Sequence, residues 1–87
     1  MKYIRKPIEV IAFFDIEGNP SPIKLRCPDE QEETMILKID KILRRGEEKF
    51  AGNPMLIFTC ESLLHGQLKM FELRFEVYTR KWFLYKI

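Results

Sequence analysis

The chain has 87 residues, of which 46% are hydrophobic and 13% are aromatic. This length leaves room for one compact domain, and the apolar content excludes a disordered chain. The 15 basic and 13 acidic residues give a formal net charge of +2, so attraction to phosphate would need local clustering of basic side chains. We therefore expect a single domain over residues 1–87 whose bulk charge selects no class of partner.

No segment has the composition of a membrane span or a signal peptide. The longest uncharged stretch, Ala51 to Cys60, is interrupted by Gly52 and Pro54 and is shorter than the roughly 20 apolar residues that a span requires. The basic N-terminal residues lack the apolar region and cleavage site of a signal peptide. The expected location is the cytoplasm, where Cys27 and Cys60 would be buried, reduced thiols.

The N-terminal third predicts two strands joined by a tight turn. Residues 8–16 are apolar on both faces of a pleat, which indicates a buried strand, and residues 17–22 carry the Gly, Asn and Pro of a turn. In the second strand, residues 23–27, three apolar side chains alternate with Lys24 and Arg26. This period-two pattern predicts that both basic side chains share a solvated face.

The middle of the chain permits more than one interpretation. The acidic residues 29–33 are expected to form a solvated loop, because like charges repel each other. Residues 34–45 have apolar spacings that fit one side of a helix as well as one side of a strand, and we predict a strand with the helix as the alternative. Residues 46–54 surround a charged centre with Gly, Asn and Pro, which predicts the longest exposed loop and a place for function.

The C-terminal part predicts three further strands. Residues 56–60 and 71–77 alternate in hydrophobicity, residues 82–87 form the last strand, and His65-Gly66 marks a turn. Short strands separated by turns in so small a chain predict an all-β fold, a small antiparallel barrel or roll of five to six strands. We expect an SH3-like architecture, with an OB-like barrel as the alternative.

The register of the last hairpin decides which aromatic side chains reach the core. A loop of two or four residues would place Trp82 inside and pull Lys86 toward the core. We predict the three-residue loop 79–81, because burying several large side chains at about 1.5–3 kcal/mol each outweighs one strained turn residue. Trp82 then stands beside Tyr78 on the outer face, flanked by Arg74 and Lys86.

The sequence contains no constellation of residues that is typical of catalysis or metal binding. The only histidine, His65, lies in a predicted turn, and Cys60 is expected to face the core, where a thiol is inert. No Cys-x-x-Cys or His-x-x-x-His spacing prepares a zinc site, and the glycines stand too far apart for a phosphate-binding loop. We therefore expect no enzyme, no cofactor and no metal.

Several short motifs carry a resemblance to a class of small proteins. They are Pro7-Ile8-Glu9-Val10 with Glu17-Gly18-Asn19-Pro20, the strand Lys38-Ile39-Asp40-Lys41-Ile42-Leu43 with Arg44, and Phe58-Thr59-Cys60 with Phe71-Glu72-Leu73 and Trp82-Phe83-Leu84. Together they resemble small stand-alone bacterial proteins of uncharacterised function that are built as all-β domains. The resemblance spans nearly the whole chain and implies a fold, and it carries over no catalytic residue.

Two functions remain for a domain without catalytic residues. The first is a non-enzymatic interaction or regulatory module that docks a protein partner or a second copy through a strand edge, an apolar patch or the predicted loop 46–54. The alternative is a barrel that binds single-stranded nucleic acid, which the resemblance connects with DNA repair, through basic and aromatic side chains on its strands. The candidate binding residues are Tyr78, Trp82, Arg74, Lys86, Lys24 and Arg26.

Overall fold

A computed structural model describes residues 1–28 and 34–87, and these residues form seven antiparallel β-strands and no helix. The described chain therefore has no helix that is long and apolar enough to cross a membrane. The strands are β1 (Tyr3–Phe14), β2 (Pro20–Pro28), β3 (Thr34–Lys38), β4 (Lys41–Phe50), β5 (Asn53–Leu64), β6 (Gln67–Glu76) and β7 (Lys81–Lys86). The predicted all-β class is confirmed, and the predicted loop 29–33 lies outside the described residues.

The sheet curls because β3 and β4 are two parts of one bent segment. The strand order is β3-β2-β1-β7-β6-β5-β4. Six antiparallel pairings link β3 to β4 through the sheet, so the two strands run in the same direction. Only Ile39 and Asp40 connect them: the Ile39 N–H donates to the carbonyl of Ile23 on the β2 side, and the Asp40 N–H donates to the carbonyl of Glu61 on β5. The segment thus leaves one end of the sheet and joins the other, which makes a small barrel-like roll.

The prediction of a strand rather than a helix over residues 34–45 is confirmed. The bend at residues 39–40 divides that strand into β3 and β4, so the structure has one strand more than the predicted maximum. The alternation of Met35, Leu37 and Ile39 continues into the bend, so the pattern did not show that the strand divides there.

The curled sheet encloses a single apolar core. Its buried side chains come from β2, the bent segment, β5, β6 and β7: Leu25, Cys27, Leu37, Ile39, Phe58, Cys60, Phe71, Leu73, Phe75, Trp82 and Leu84. Both cysteines lie in this core, so their predicted burial is confirmed. The ring centroids of Phe75 and Trp82 are 4.8 Å apart, and this aromatic pair fills one side of the core.

The predicted loop over residues 46–54 is wrong. β4 continues to Phe50 and β5 begins at Asn53, so only Ala51 and Gly52 connect the two strands. Both have positive φ angles, 52° and 80°, as a two-residue type I′ hairpin turn requires. Gly46 suggested a loop, but it lies within β4 and pairs with Ile57 of β5.

The predicted register of the last hairpin is also wrong. Phe75 pairs with Trp82, so the loop consists of the four residues 77–80 and not of three. Trp82 faces inward and is only 8% exposed. Tyr78 lies in the loop with 73% of its surface exposed, so the two side chains do not share an outer face.

This register was expected to draw Lys86 into the core, and a β-bulge prevents that. Leu73 pairs with Leu84, but the next pair along β6 joins Glu72 to Lys86, so Tyr85 is an extra residue. This insertion reverses the alternation, and Lys86 therefore lies on the outer face with its Nζ 3.9 Å from Glu72 Oε1. Trp82 is buried without drawing a lysine into the core.

Candidate binding face

The structure divides the six candidate binding residues among separate parts of the molecule. Trp82 lies in the core, and Tyr78 stands apart in the β6–β7 loop. The basic residues form two pairs, Arg74 with Lys86 on the outer side of β6 and β7, and Lys24 with Arg26 on the outer side of β2. The pairs belong to different surfaces and therefore have to be judged separately.

The Arg74 and Lys86 pair is neutralised within the protein. The Arg74 guanidinium carbon lies 3.7 Å from the centroid of the Tyr85 ring, and Nε donates to Glu72 Oε2 at 3.0 Å. Arg74 Nη1 also lies 3.4 Å from Glu48 Oε2, and Lys86 contacts Glu72. Because only 13% of the Arg74 side chain is exposed, this cluster ties strands together and offers little charge to a ligand.

The first three strands present an outward side that we term the β1–β3 face. Its residues are Glu9 and Ile11 on β1, Lys24 and Arg26 on β2, and Ile36 and Lys38 on β3. These residues form two rows across the three strands. Paired residues make up each row: Ile11, Lys24 and Lys38 in one, and Glu9, Arg26 and Ile36 in the other. A groove of about 450 Å³ lies on this face. Ile11 is 63% exposed and Ile36 is 55% exposed, so the face is apolar as well as charged.

Within residues 1–28 and 34–87, the charges on the β1–β3 face do not cancel. Arg26 Nη2 donates to Glu9 Oε1 at 2.6 Å, and this exposed ion pair neutralises one positive charge. Lys24 and Lys38 stand directly opposite each other on neighbouring strands. Like charges in that position are destabilising, and the described residues place no carboxylate in an ion pair with either lysine. Among the described residues, the face thus has a positive pair that no carboxylate matches, beside two exposed isoleucines.

A second cleft, which was not predicted from the sequence, lies between the start of β2 and β4. Arg45 spans the cleft, with Nη1 donating to the carbonyl of Pro20 at 2.9 Å and Nη2 donating to Ser21 Oγ at 2.7 Å. Its guanidinium carbon lies 5.4 Å from the Phe58 ring centroid, and the cleft has a volume of about 510 Å³. No motif marks this site, because β2 and β4 are distant in strand order and meet only through the curl of the whole sheet.

Comparison of the chain with protein-family models, curated proteins and solved structures found no match. The resemblance to small bacterial all-β proteins and the SH3-like class therefore stay predictions. Within residues 1–28 and 34–87, no group of three or more His, Cys, Asp or Glu side chains is arranged to hold a metal ion. The β1–β3 face is thus defined by its shape, charge and apolar side chains.

Proposed function

We propose that this protein is a non-enzymatic, cytoplasmic interaction module whose β1–β3 face binds an extended partner segment that carries carboxylate and aliphatic side chains. The observation behind the proposal is the pair of Lys24 and Lys38, which stand opposite each other beside the exposed Ile11 and Ile36. A carboxylate between the two ammonium groups would relieve their repulsion. Aliphatic side chains of the same segment would cover the two isoleucines.

The arrangement of aromatic side chains favours a protein segment over single-stranded nucleic acid. Sequence-tolerant nucleic-acid binding uses aromatic rings on which bases stack, together with free basic side chains. Trp82 is buried, and Arg74 and Lys86 are held by Glu72. The residues that line the groove on the β1–β3 face include no aromatic side chain, and Phe13, the exposed ring two residues beyond Ile11 on β1, is not among them. The experiment therefore has to distinguish binding of a protein segment from binding of single-stranded nucleic acid.

A fluorescence anisotropy titration tests the proposal with three labelled probes. The first is a peptide of alternating Glu and Leu, the second has Lys in place of Glu, and the third is a single-stranded DNA oligonucleotide. We expect the Glu-Leu peptide to bind, and we expect the double variant Lys24→Glu/Lys38→Glu to weaken that binding by about tenfold or more. Lys2→Glu/Lys69→Glu makes the same change of charge at exposed residues elsewhere and should leave the affinity unchanged.

The same titration identifies the results that contradict the proposal. Equal binding of the Glu-Leu and Lys-Leu peptides would show that Lys24 and Lys38 do not select carboxylate side chains. DNA binding that exceeds peptide binding and falls steeply with added salt would support the nucleic-acid alternative. Absence of Glu-Leu peptide binding at low salt would refute the assignment of this face.

A further inference from the structure

β4 lies at an edge of the sheet and has a self-complementary charge pattern. It pairs with β5 on one side, and no strand among the described residues pairs with its other side. Residues 44–48 are Arg-Arg-Gly-Glu-Glu, and all five are exposed. Charged edge strands usually repel a second strand. Here two basic residues precede Gly46 and two acidic residues follow it, so an antiparallel second copy would meet opposite charges.

One register of such a pairing matches every charge in this segment. With a two-fold axis at Gly46, Arg45 stands opposite Glu47 of the other copy. The same axis places Arg44 opposite Glu48, so the two copies form four pairs of opposite charge. Sliding one copy by two residues places Arg45 opposite its own equivalent in one direction and Glu47 opposite its own equivalent in the other.

The faces of the strand agree with this register. Arg45 and Glu47 alternate in phase with the inward side of β5, where they pair with Phe58 and Leu56. Arg44 and Glu48 belong to the outward side. Directly opposed residues of an antiparallel pair lie on the same face, so both sets of charges meet on their own side of the joined sheets.

Gly46 gives an independent reason to expect a second strand. Its φ is not positive, and a Cβ added there would lie 4.0 Å from the Cβ of Ile57, which is an ordinary contact. Neither backbone conformation nor space within this chain therefore requires a glycine. A glycine inside a strand is destabilising, and it often marks a position where another backbone approaches closely. At a two-fold axis the two copies of Gly46 would face each other.

We propose that two copies of this chain associate through antiparallel pairing of β4 with β4, centred on Gly46. Residues 44–48 are exposed, and the cleft beside Arg45, Gly46 and Glu47 leaves open space next to this edge. Arg45 donates one hydrogen bond each to Pro20 and Ser21, and a guanidinium has further N–H groups for Glu47 of a second copy. The pairing joins two curled sheets into one continuous sheet and leaves the β1–β3 face free.

Charge exchange between Arg44 and Glu48 tests this dimer by sedimentation equilibrium on the full chain. The unmodified protein should be dimeric, while Arg44→Glu alone and Glu48→Arg alone should be monomeric, because each then sets like charges opposite each other. An equimolar mixture of the two variants should restore a dimer. Glu48→Arg also removes the ion pair between Glu48 and Arg74 of the same chain, and Arg74→Gln, which removes that ion pair without changing β4, should stay dimeric. Glu17→Arg and Lys69→Glu, which reverse exposed charges outside β4, should leave the dimer intact.

Salt dependence gives a second measurement that needs no variant. The dimer dissociation constant should rise by about tenfold or more between about 50 and about 500 mM sodium chloride, since exposed ion pairs are screened. A monomeric unmodified protein, a salt-independent dimer, or folded variants whose mixture stays monomeric would each overturn the proposal. Dimerisation that persists in both single variants would place the interface on another surface.

Discussion

At the scale of single residues, the thiol of Cys60 has a strongly raised pKa. This residue is fully buried, and its Sγ lies 3.8 Å from the carbonyl oxygen of Phe58. Burial raises the pKa of the thiol to about 12, and the positive charge of Arg45 only partly opposes that shift. The thiol therefore stays protonated near neutral pH and should be a poor nucleophile in the folded protein.

This shift predicts a loss of stability at high pH. The unfolded chain releases the Cys60 proton near the ordinary pKa of 9.0, whereas the folded chain holds it up to about 12. The folded state binds more protons in this window, so the free energy of unfolding should fall as the pH rises from about 9 toward 12. Urea unfolding of Cys60→Ala at several pH values should give a shallower fall than the unmodified protein. Equal slopes for the two proteins would contradict the buried environment of this thiol.

At the scale of the elements, the β4–β5 turn holds a residue that fits its conformation poorly. Ala51 has a φ of 52°, and the left-handed region costs a residue with a Cβ roughly 1–2 kcal/mol. The β5–β6 turn has the same geometry, but His65 at the equivalent position belongs to a residue type that tolerates it better. The same substitution can therefore be compared at Ala51 and at His65.

Ala51→Asn should raise the free energy of unfolding by about 0.5–1 kcal/mol, because asparagine followed by glycine is favoured in type I′ turns. Urea denaturation measures the change. His65→Asn is the comparison, and it should give a smaller gain because histidine already visits the left-handed region. A decrease in stability for Ala51→Asn would argue against the positive φ at this position.

The direction of a side chain could be predicted where it depends on one strand alone. It could not be predicted where it depends on how two strands pair. Alternation within β2 correctly predicted that Leu25 and Cys27 face inward, because the period of two is a property of one strand. Bulges depend on both partners. The register shift between Ile11 and Ala12 leaves Ile23 without a partner on β1 and 45% exposed, and the extra residue Tyr85 reverses the alternation at the end of the last strand. Neither bulge has a local sequence signal.

At the scale of the whole molecule, the candidate site was only partly predictable. The outward direction of Lys24 and Arg26 followed from alternation. The addition of Ile11 and Lys38 to the same face depends on which strands pair, and strand order is not encoded in a local pattern. The bend at residues 39–40 has the same origin, because contacts with distant strands fix it.

A buried serine stabilises the bend at residues 39–40, where the roll closes. Ser62 is 1% exposed, and its hydroxyl donates to the carbonyl of Lys38, next to the bend where β3, which pairs with β2, gives way to β4, which pairs with β5. Ser62→Ala removes that donor in a buried position and should lower the free energy of unfolding by about 1–3 kcal/mol. Urea unfolding measures the loss, and amide hydrogen exchange at Ile39 and Asp40 should accelerate as the bend loosens. Ser21→Ala alters the only other serine, whose hydroxyl accepts an exposed hydrogen bond, so water can replace it and the change should stay near 0.5 kcal/mol or less. Equal losses in the two variants would mean that the bend is held by its backbone hydrogen bonds and not by the buried hydroxyl.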